Sequence, residues 1–311
     1  MDNIEISYGK ARVPFYRVYA RPLVGVRPIP ESSFTGRDNT LFALRVDVEV
    51  FGRNVLPAYT EGDNSAVVAT DSMKNVVLRR ALAYDGATLE GYLYDLGRVL
   101  LTTYPQMEAL RVTGDEQPFV PARVPAEDDS AAFVDSPVLF NRSHGDHAMG
   151  VLSLALRGDD IIVTDHRCGH VGLQLIKVTG SAFTRFVRDD YTTLPERVDR
   201  PLYIHLDVYW TYGDVDDLLS GDPARYIPAE QVRDLAATVF HSFVSESIQH
   251  LVYEMGARLL ARFPGMATVS FTAQNRTWDP VALSEDDARV KVYSDPFPAY
   301  GTINLTLSRE S

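Results

Sequence analysis

The sequence predicts an α+β protein in two tandem halves, each an antiparallel sheet with helices packed on one face. Three observations carry this. Short segments alternate apolar and polar residues, the period of a strand with one wet face. Stretches of helical spacing interrupt them in each half. The order strand–strand–helix–helix–strand–strand then recurs after roughly 150 residues, which marks like domains.

Taken in order, Leu44, Val46, Val48 and Val50 alternate with Arg45, Asp47 and Glu49. Asn64–Ala69 reads as an apolar strand running into Thr70 and Asp71, the hydroxyl and carboxylate of a helix start. Leu89, Tyr92, Leu93, Leu96, Val99 and Leu100 keep helical spacing behind Thr88 as N-cap, and Pro105 closes the segment. Strands resume at Leu110–Thr113, Ala131–Leu139 and Val151–Leu156, with the Pro-, Asp- and Glu-rich Gly114–Asp129 as a solvated loop. The polar cluster Arg157-Gly158-Asp159-Asp160 marks the break, dividing the chain into domains 1–157 and 158–311.

The second half repeats the pattern. Val171–Val178 and Tyr203–Trp210 read as strands. A helix after Pro228 buries Val232, Leu235, Val239 and Phe243, and another runs through Leu251, Met255, Leu259 and Phe263 to Pro264. Thr268–Gln274 and the alternating Ile303, Leu305 and Leu307 close the set. Sheets of few strands leave open edges, so an oligomer is expected.

Composition narrows the partners. With 30 Lys+Arg against 42 Asp+Glu, the net charge is −12, which disfavours nucleic acid and anionic lipid. No apolar run approaches the ~18 residues a spanning helix needs. The first ten residues lack a secretory h-region, the last five are no peroxisomal address, and a cytoplasmic protein is expected. The single cysteine, Cys168, excludes an intramolecular disulfide. His166, Cys168 and His170 would share one face of a strand, and His144 and His147 lie close in sequence, yet no helical His pair accompanies them; no metal site is assigned. In Phe183-Thr184-Arg185-Phe186-Val187-Arg188, aromatic and guanidinium groups interleave, a pattern suited to a flat anion and also to a charged surface strand.

Several blocks together resemble the urate oxidase family: Tyr8-Gly9-Lys10, Val67–Asn75, Thr179-Gly180-Ser181 with Phe183, Phe186–Leu194 with Asp199-Arg200, Ser247-Ile248-Gln249, and Asn275–Trp278. The resemblance implies two tandem T-fold (ββααββ) units forming a tunnel-like barrel on oligomerisation, usually a homotetramer with active sites at subunit interfaces. It implies oxidation of uric acid by O2 and water to 5-hydroxyisourate and hydrogen peroxide, with no metal or organic cofactor. By motif, Phe183 would stack on the purine, Arg200 would grip a carbonyl and ring nitrogen with its guanidinium fork, and Gln249 and the Ile248 backbone would hold the other end. Leu194 would line the pocket, and Asn275 would hold oxygen or water above the ring. Thr70 and Asp71 would reach in from a neighbouring subunit. Lys10, desolvated beside the Thr70 hydroxyl, would act as base through it. Many members carry histidine where this chain has Thr277, so Thr277 is expected to position water rather than titrate. The rivals are a metal-using T-fold enzyme acting on purines or pterins, and a purine-binding protein without catalysis.

Overall fold

Alternation and helical spacing fold as the patterning demands. The computed structural model describes residues 4–127, 132–143, 145–219, 221–276, 278–294 and 299–309. Along the chain run β1 (Ser7–Val18), β2 (Leu41–Phe51), α1 (Leu56–Thr60), α2 (Thr70–Ala83), α3 (Leu89–Thr103), β3 (Ala109–Glu116), β4 (Phe119–Pro125), β5 (Phe133–Arg142) and β6 (His147–Arg157). They are followed by β7 (Asp160–Lys177), β8 (Leu202–Tyr212), α4 (Val215–Leu219), α5 (Ala229–Ser242), α6 (Ile248–Arg262), β9 (Met266–Arg276), β10 (Asp279–Leu283), β11 (Lys291–Ser294) and β12 (Gly301–Ser308).

The chain falls into two compact units. The first holds the described residues of Met1–Pro28, Phe34–Gly169 and Asp214–Tyr226. Its strands run β1-β2-β3-β6 and on into the first part of β7, with antiparallel pairing from β1 to β6. Leu44, Val46, Val48 and Val50 are buried as the alternation requires. Helix α2 packs on β1, and α3 packs on β3 and β6. Tyr92 on α3 lies 5.0 Å from the Phe15 ring and 5.6 Å from Tyr84, and its hydroxyl donates to the Val77 carbonyl. Rings buried this fully contribute about 1.5–3 kcal/mol each. Thr88 caps α3 by accepting from the Gly91 N–H at 3.2 Å.

The second unit holds the described residues of Ile29–Ser33, His170–Gly213 and Ile227–Ser311. Here the rest of β7 leads to β8, β9 and β12, the last three paired antiparallel. Ile204, Leu206, Val208 and Trp210 form the buried face of β8. Helix α6 covers β9 and β12, and α5 packs on α6. The tight turn at Gly158, φ 64°, separates β6 from β7.

Three expectations need correction. Asn64–Ala69 is not a strand. Its backbone donors go to local turns and a side chain: Asp63 accepts from the Ser65 N–H, Asn64 O from the Val67 N–H, and the Tyr8 hydroxyl from the Val68 N–H. Thr70 and Asp71 accordingly open α2 as its first two helical residues, with Ala69 as an N-cap lacking a side-chain bond. The described part of Gly114–Asp129 is largely strand rather than loop, since β3 runs to Glu116 and β4 forms a ribbon with β5; Asp128 and Asp129 lie outside the described residues. Its prolines are tolerated because a two-stranded ribbon is all edge, and a register shift falls between Pro121 and Arg123. Finally, α5 stops at Ser242, leaving Phe243 extended at its C-cap and only half-buried. Ala131 lies outside the described residues.

Candidate active site

In the second unit, the chain leaves β7 and is pinned before it can wander. Asp199 accepts from the Thr179 hydroxyl at 2.8 Å and the Gly180 N–H at 2.7 Å. Partial burial works to raise the Asp199 carboxyl, but these hydrogen bonds outweigh it and hold the group below its ordinary value. The clamp delivers Arg200, whose N–H donates to the Ser181 carbonyl. Ser181 bridges Ser245 in parallel, and Ala182 donates to the Ser245 carbonyl. Phe183 exchanges backbone bonds with Arg197 at 2.7 and 3.0 Å. These contacts place Phe183 beside the start of α6, where the Ser247 side chain accepts from the His250 N–H at 3.0 Å.

An open cavity of about 690 Å³ results, lined by Phe183, Phe186, Arg185, Glu246, Gln249 and His250 among others. Gln249 is exposed at the second position of α6, and Ile248, at the first, is buried. The Arg200 guanidinium lies 5.5 Å from the Phe183 ring centroid. Arg200 is only 8% exposed, and its buried Nε has no hydrogen-bond partner among the described residues. Burial, and secondly the like charge of Arg197, push its pKa below the usual arginine value. A buried guanidinium without a carboxylate is costly in isolation and is stabilised by an acceptor-rich, anionic guest.

Leu194 is half-buried, and its carbonyl accepts from Arg188 at 3.3 Å. Asn275 sits near the end of β9, opposite Ile204 on one side and Gly301 on the other. Thr277 lies outside the described residues.

The remaining assigned residues belong to the first unit. Lys10 is half-buried on β1, opposite Val48 and just before a bulge at Ala11 and Arg12. Gly9 permits this approach, because a Cβ there would come within 1.9 Å of the Val48 carbonyl oxygen. Tyr8, two residues from Lys10 and therefore on its side of the strand, accepts from the Val68 N–H and ties the approach to α2 onto β1. Thr70 and Asp71 follow. Asp71 accepts from Lys74 at 2.5 Å and Asn75 at 3.0 Å. Lys74 above all, with a smaller contribution from Lys10, holds the Asp71 carboxyl below its ordinary value.

The histidine–cysteine strand is real but holds no cluster of ligands. Cys168 is buried, its thiol pushed up by burial and by neighbouring Glu90. Glu90, itself raised by burial, accepts from the Tyr226 hydroxyl at 2.9 Å. Among the described residues, no three His, Cys, Asp or Glu side chains converge as a metal site would require. His144 lies outside the described residues. Nor does any described helix have the length and apolarity to cross a membrane.

Residue-by-residue assignment missed Phe186, Arg185, Glu246 and His250 in the cavity wall. The interleaved aromatic and guanidinium run was the available signal for the first two.

Comparison with known proteins places this geometry. The family described as Uricase matches residues 46–139 and 166–304. A uricase of Haloferax volcanii is 49% identical over 98% of both chains. The uric acid degradation bifunctional protein PucL of Bacillus subtilis is 45% identical over 98% of this chain, which spans 61% of that longer protein. A crystal structure of urate oxidase from Bacillus sp. TB-90 superposes with a TM-score of 0.94 at 41% identity, covering 98% of this chain and all of that one.

Proposed function

The chain belongs to the uricase family, and from that premise we infer that it oxidises urate with O2 and water to 5-hydroxyisourate and hydrogen peroxide, using no metal or organic cofactor. One observation carries the reading at the site itself: Arg200, buried beside the Phe183 ring with an unpartnered Nε, awaits a flat, acceptor-rich anion. The purine stacks on Phe183. Arg200 donates to a carbonyl and the adjacent ring nitrogen. Gln249 and the Ile248 N–H, at the start of α6, meet the opposite end, where the helix N-terminus favours negative charge. Leu194 borders the ring, and Asn275 orients oxygen or water above it.

The chemical step begins with removal of a proton from bound urate, which makes the ring a stronger reductant toward oxygen. Lys10 takes that proton through the Thr70 hydroxyl. Thr277 holds water in the place where many relatives carry histidine. Thr70 and Asp71 serve the site of a neighbouring subunit, so the working form is a cytoplasmic homotetramer in which each site is shared. Each chain contributes two T-fold repeats, with the repeat boundary at 157/158, to that assembly.

The test is loss of the urate absorbance band by chelator-treated protein in air-saturated buffer, with peroxide assayed in parallel. Equimolar urate loss and peroxide support the reading. Activity that returns only with added metal overturns the cofactor-free assignment. A urate-dependent rise in melting temperature without turnover reduces the protein to a binder.

A further inference from the structure

The Phe183 ring has a built support. The Phe186 ring stacks parallel on it, with centroids 4.8 Å apart and 10° between planes. The Arg188 guanidinium lies 5.2 Å from the Phe186 centroid and donates to the Leu194 carbonyl. Contacts thus run from Arg200 to Phe183, from Phe183 to the stacked Phe186, from Phe186 to Arg188, and on to the Leu194 carbonyl. Three of the residues assigned to urate, Phe183, Leu194 and Arg200, are linked by two residues with no assigned role.

The turn that makes the stack possible is also held. Arg185, between the two rings, sits at φ 60°, a left-handed conformation that an arginine adopts only under constraint. Glu196 accepts the Arg185 N–H at 2.8 Å, and Glu246, at the cavity wall, pairs with its guanidinium at 2.6 Å. Without this turn, residues three apart in an irregular segment would have no reason to lie parallel.

We propose that Phe186 and Arg188 are positioning residues that fix the plane of Phe183 for face-to-face stacking with the purine. The proposal rests on the urate reading of the cavity. Its physical basis is that an aromatic ring free to turn about its side-chain bonds presents an edge as readily as a face, and a purine stacks on the face. Phe186 blocks that rotation from one side. The Arg188 guanidinium, 5.2 Å from the Phe186 centroid and anchored on the Leu194 carbonyl, holds Phe186 in turn.

The test measures urate binding under anaerobic conditions, where no turnover occurs, together with kcat and KM in air, for wild type, Phe186→Leu, Phe186→Tyr and Arg188→Met. Phe186→Leu keeps an apolar side chain but removes the stacking plane. It should weaken urate binding about three- to tenfold, raising KM while kcat stays within about twofold, as loss of uniform binding requires. Phe186→Tyr keeps the ring and should restore wild-type affinity. Arg188→Met should weaken binding roughly two- to fivefold.

Wild-type affinity in Phe186→Leu overturns the proposal. So does equal impairment of the Leu and Tyr variants, which would mark a steric role. If Phe186→Leu fails to fold, the Tyr and Met variants decide: Tyr must bind as wild type and Met more weakly, and any other pattern overturns the proposal. Failure of the wild-type protein to bind or consume urate would instead refute the functional reading beneath it.

Discussion

Two helix starts carry assigned residues at the same two positions, and they are finished differently. In the second unit, α6 opens with Ile248 and Gln249 behind Ser247, whose hydroxyl satisfies the His250 N–H. In the first, α2 opens with Thr70 and Asp71 behind Ala69, which offers no cap. Asp71 turns its carboxylate to Lys74 and Asn75 on its own helix. The first N–H groups of any helix lack partners within it; the Ser247 side chain satisfies one of them on α6, and no N-cap side chain satisfies any on α2. The difference fits a division of labour. On the proposed function, the second unit supplies the groups that hold urate, while the first supplies Lys10 and the α2 start bearing Thr70 and Asp71.

The strongest way to break that comparison is at Lys10. If the first unit supplies chemistry rather than affinity, Lys10→Met should lower kcat about 100- to 10,000-fold, the usual worth of a positioned acid–base group. Anaerobic urate binding should stay within about threefold. A mutant that turns over normally removes Lys10 as the base, and one that loses binding instead erases the division. The reciprocal experiment is Arg200→Ala, expected to weaken urate binding by roughly 2–4 kcal/mol through loss of a charge-assisted bidentate contact. Unchanged affinity would take Arg200 out of the site.

These two residues also show what the sequence could and could not tell. The core strands were legible because burial enforces period two, as in Leu44 to Val50 and Ile204 to Trp210. Helix α3 was legible because a broad apolar stripe accompanies a proper cap. Helix α2 buries only Met73, Val77 and Ala81 and has no side-chain cap, so its first turn looked like the end of a strand. The ribbon β4–β5 was hidden by prolines that a central strand could not hold. β10 and β11 went unread because they form another small ribbon, mostly exposed, without an apolar face to set a period. At the site, Arg200 and Phe183 came from motif resemblance, since nothing local distinguishes a buried guanidinium from a surface one. Its lack of a carboxylate partner among the described residues is a tertiary fact, made by the Asp199 clamp and the Phe183 loop.

Exchanging the caps sharpens the comparison at smaller scale. Ser247→Ala should destabilise the protein by about 1 kcal/mol, because the His250 N–H loses its acceptor. Ala69→Ser should do the reverse, since Ala69 already has the extended backbone of an N-cap, φ −58° and ψ 133°. If the open end of α2 is reserved for a ligand, this stabilised variant should show a raised KM for urate. Thermal unfolding and steady-state kinetics on the same preparations read both effects. A gain in stability at unchanged KM would mean that the missing cap has no functional purpose.

The smallest expected effect concerns Asp199, on the loop that carries Arg200. The folded protein holds Asp199 below its ordinary value of 3.8, with hydrogen bonds from Thr179 and Gly180 overcoming the opposing effect of burial. A carboxyl lowered in this way contributes its stabilisation above the ordinary value and loses it as pH falls through the lower one. Across about pH 5 to 8 the clamp is therefore fully charged, and it should impose no pH dependence on urate binding. Asp199→Asn keeps one acceptor for the Gly180 N–H and gives up the charge, so KM should rise only about two- to fivefold, by the same factor throughout that range. A wild-type affinity that already declined between pH 8 and 6 would assign the titration to another group. An Asp199→Asn variant indistinguishable from wild type would mean that Arg200 is held by the Ser181 carbonyl and the Phe183 loop alone.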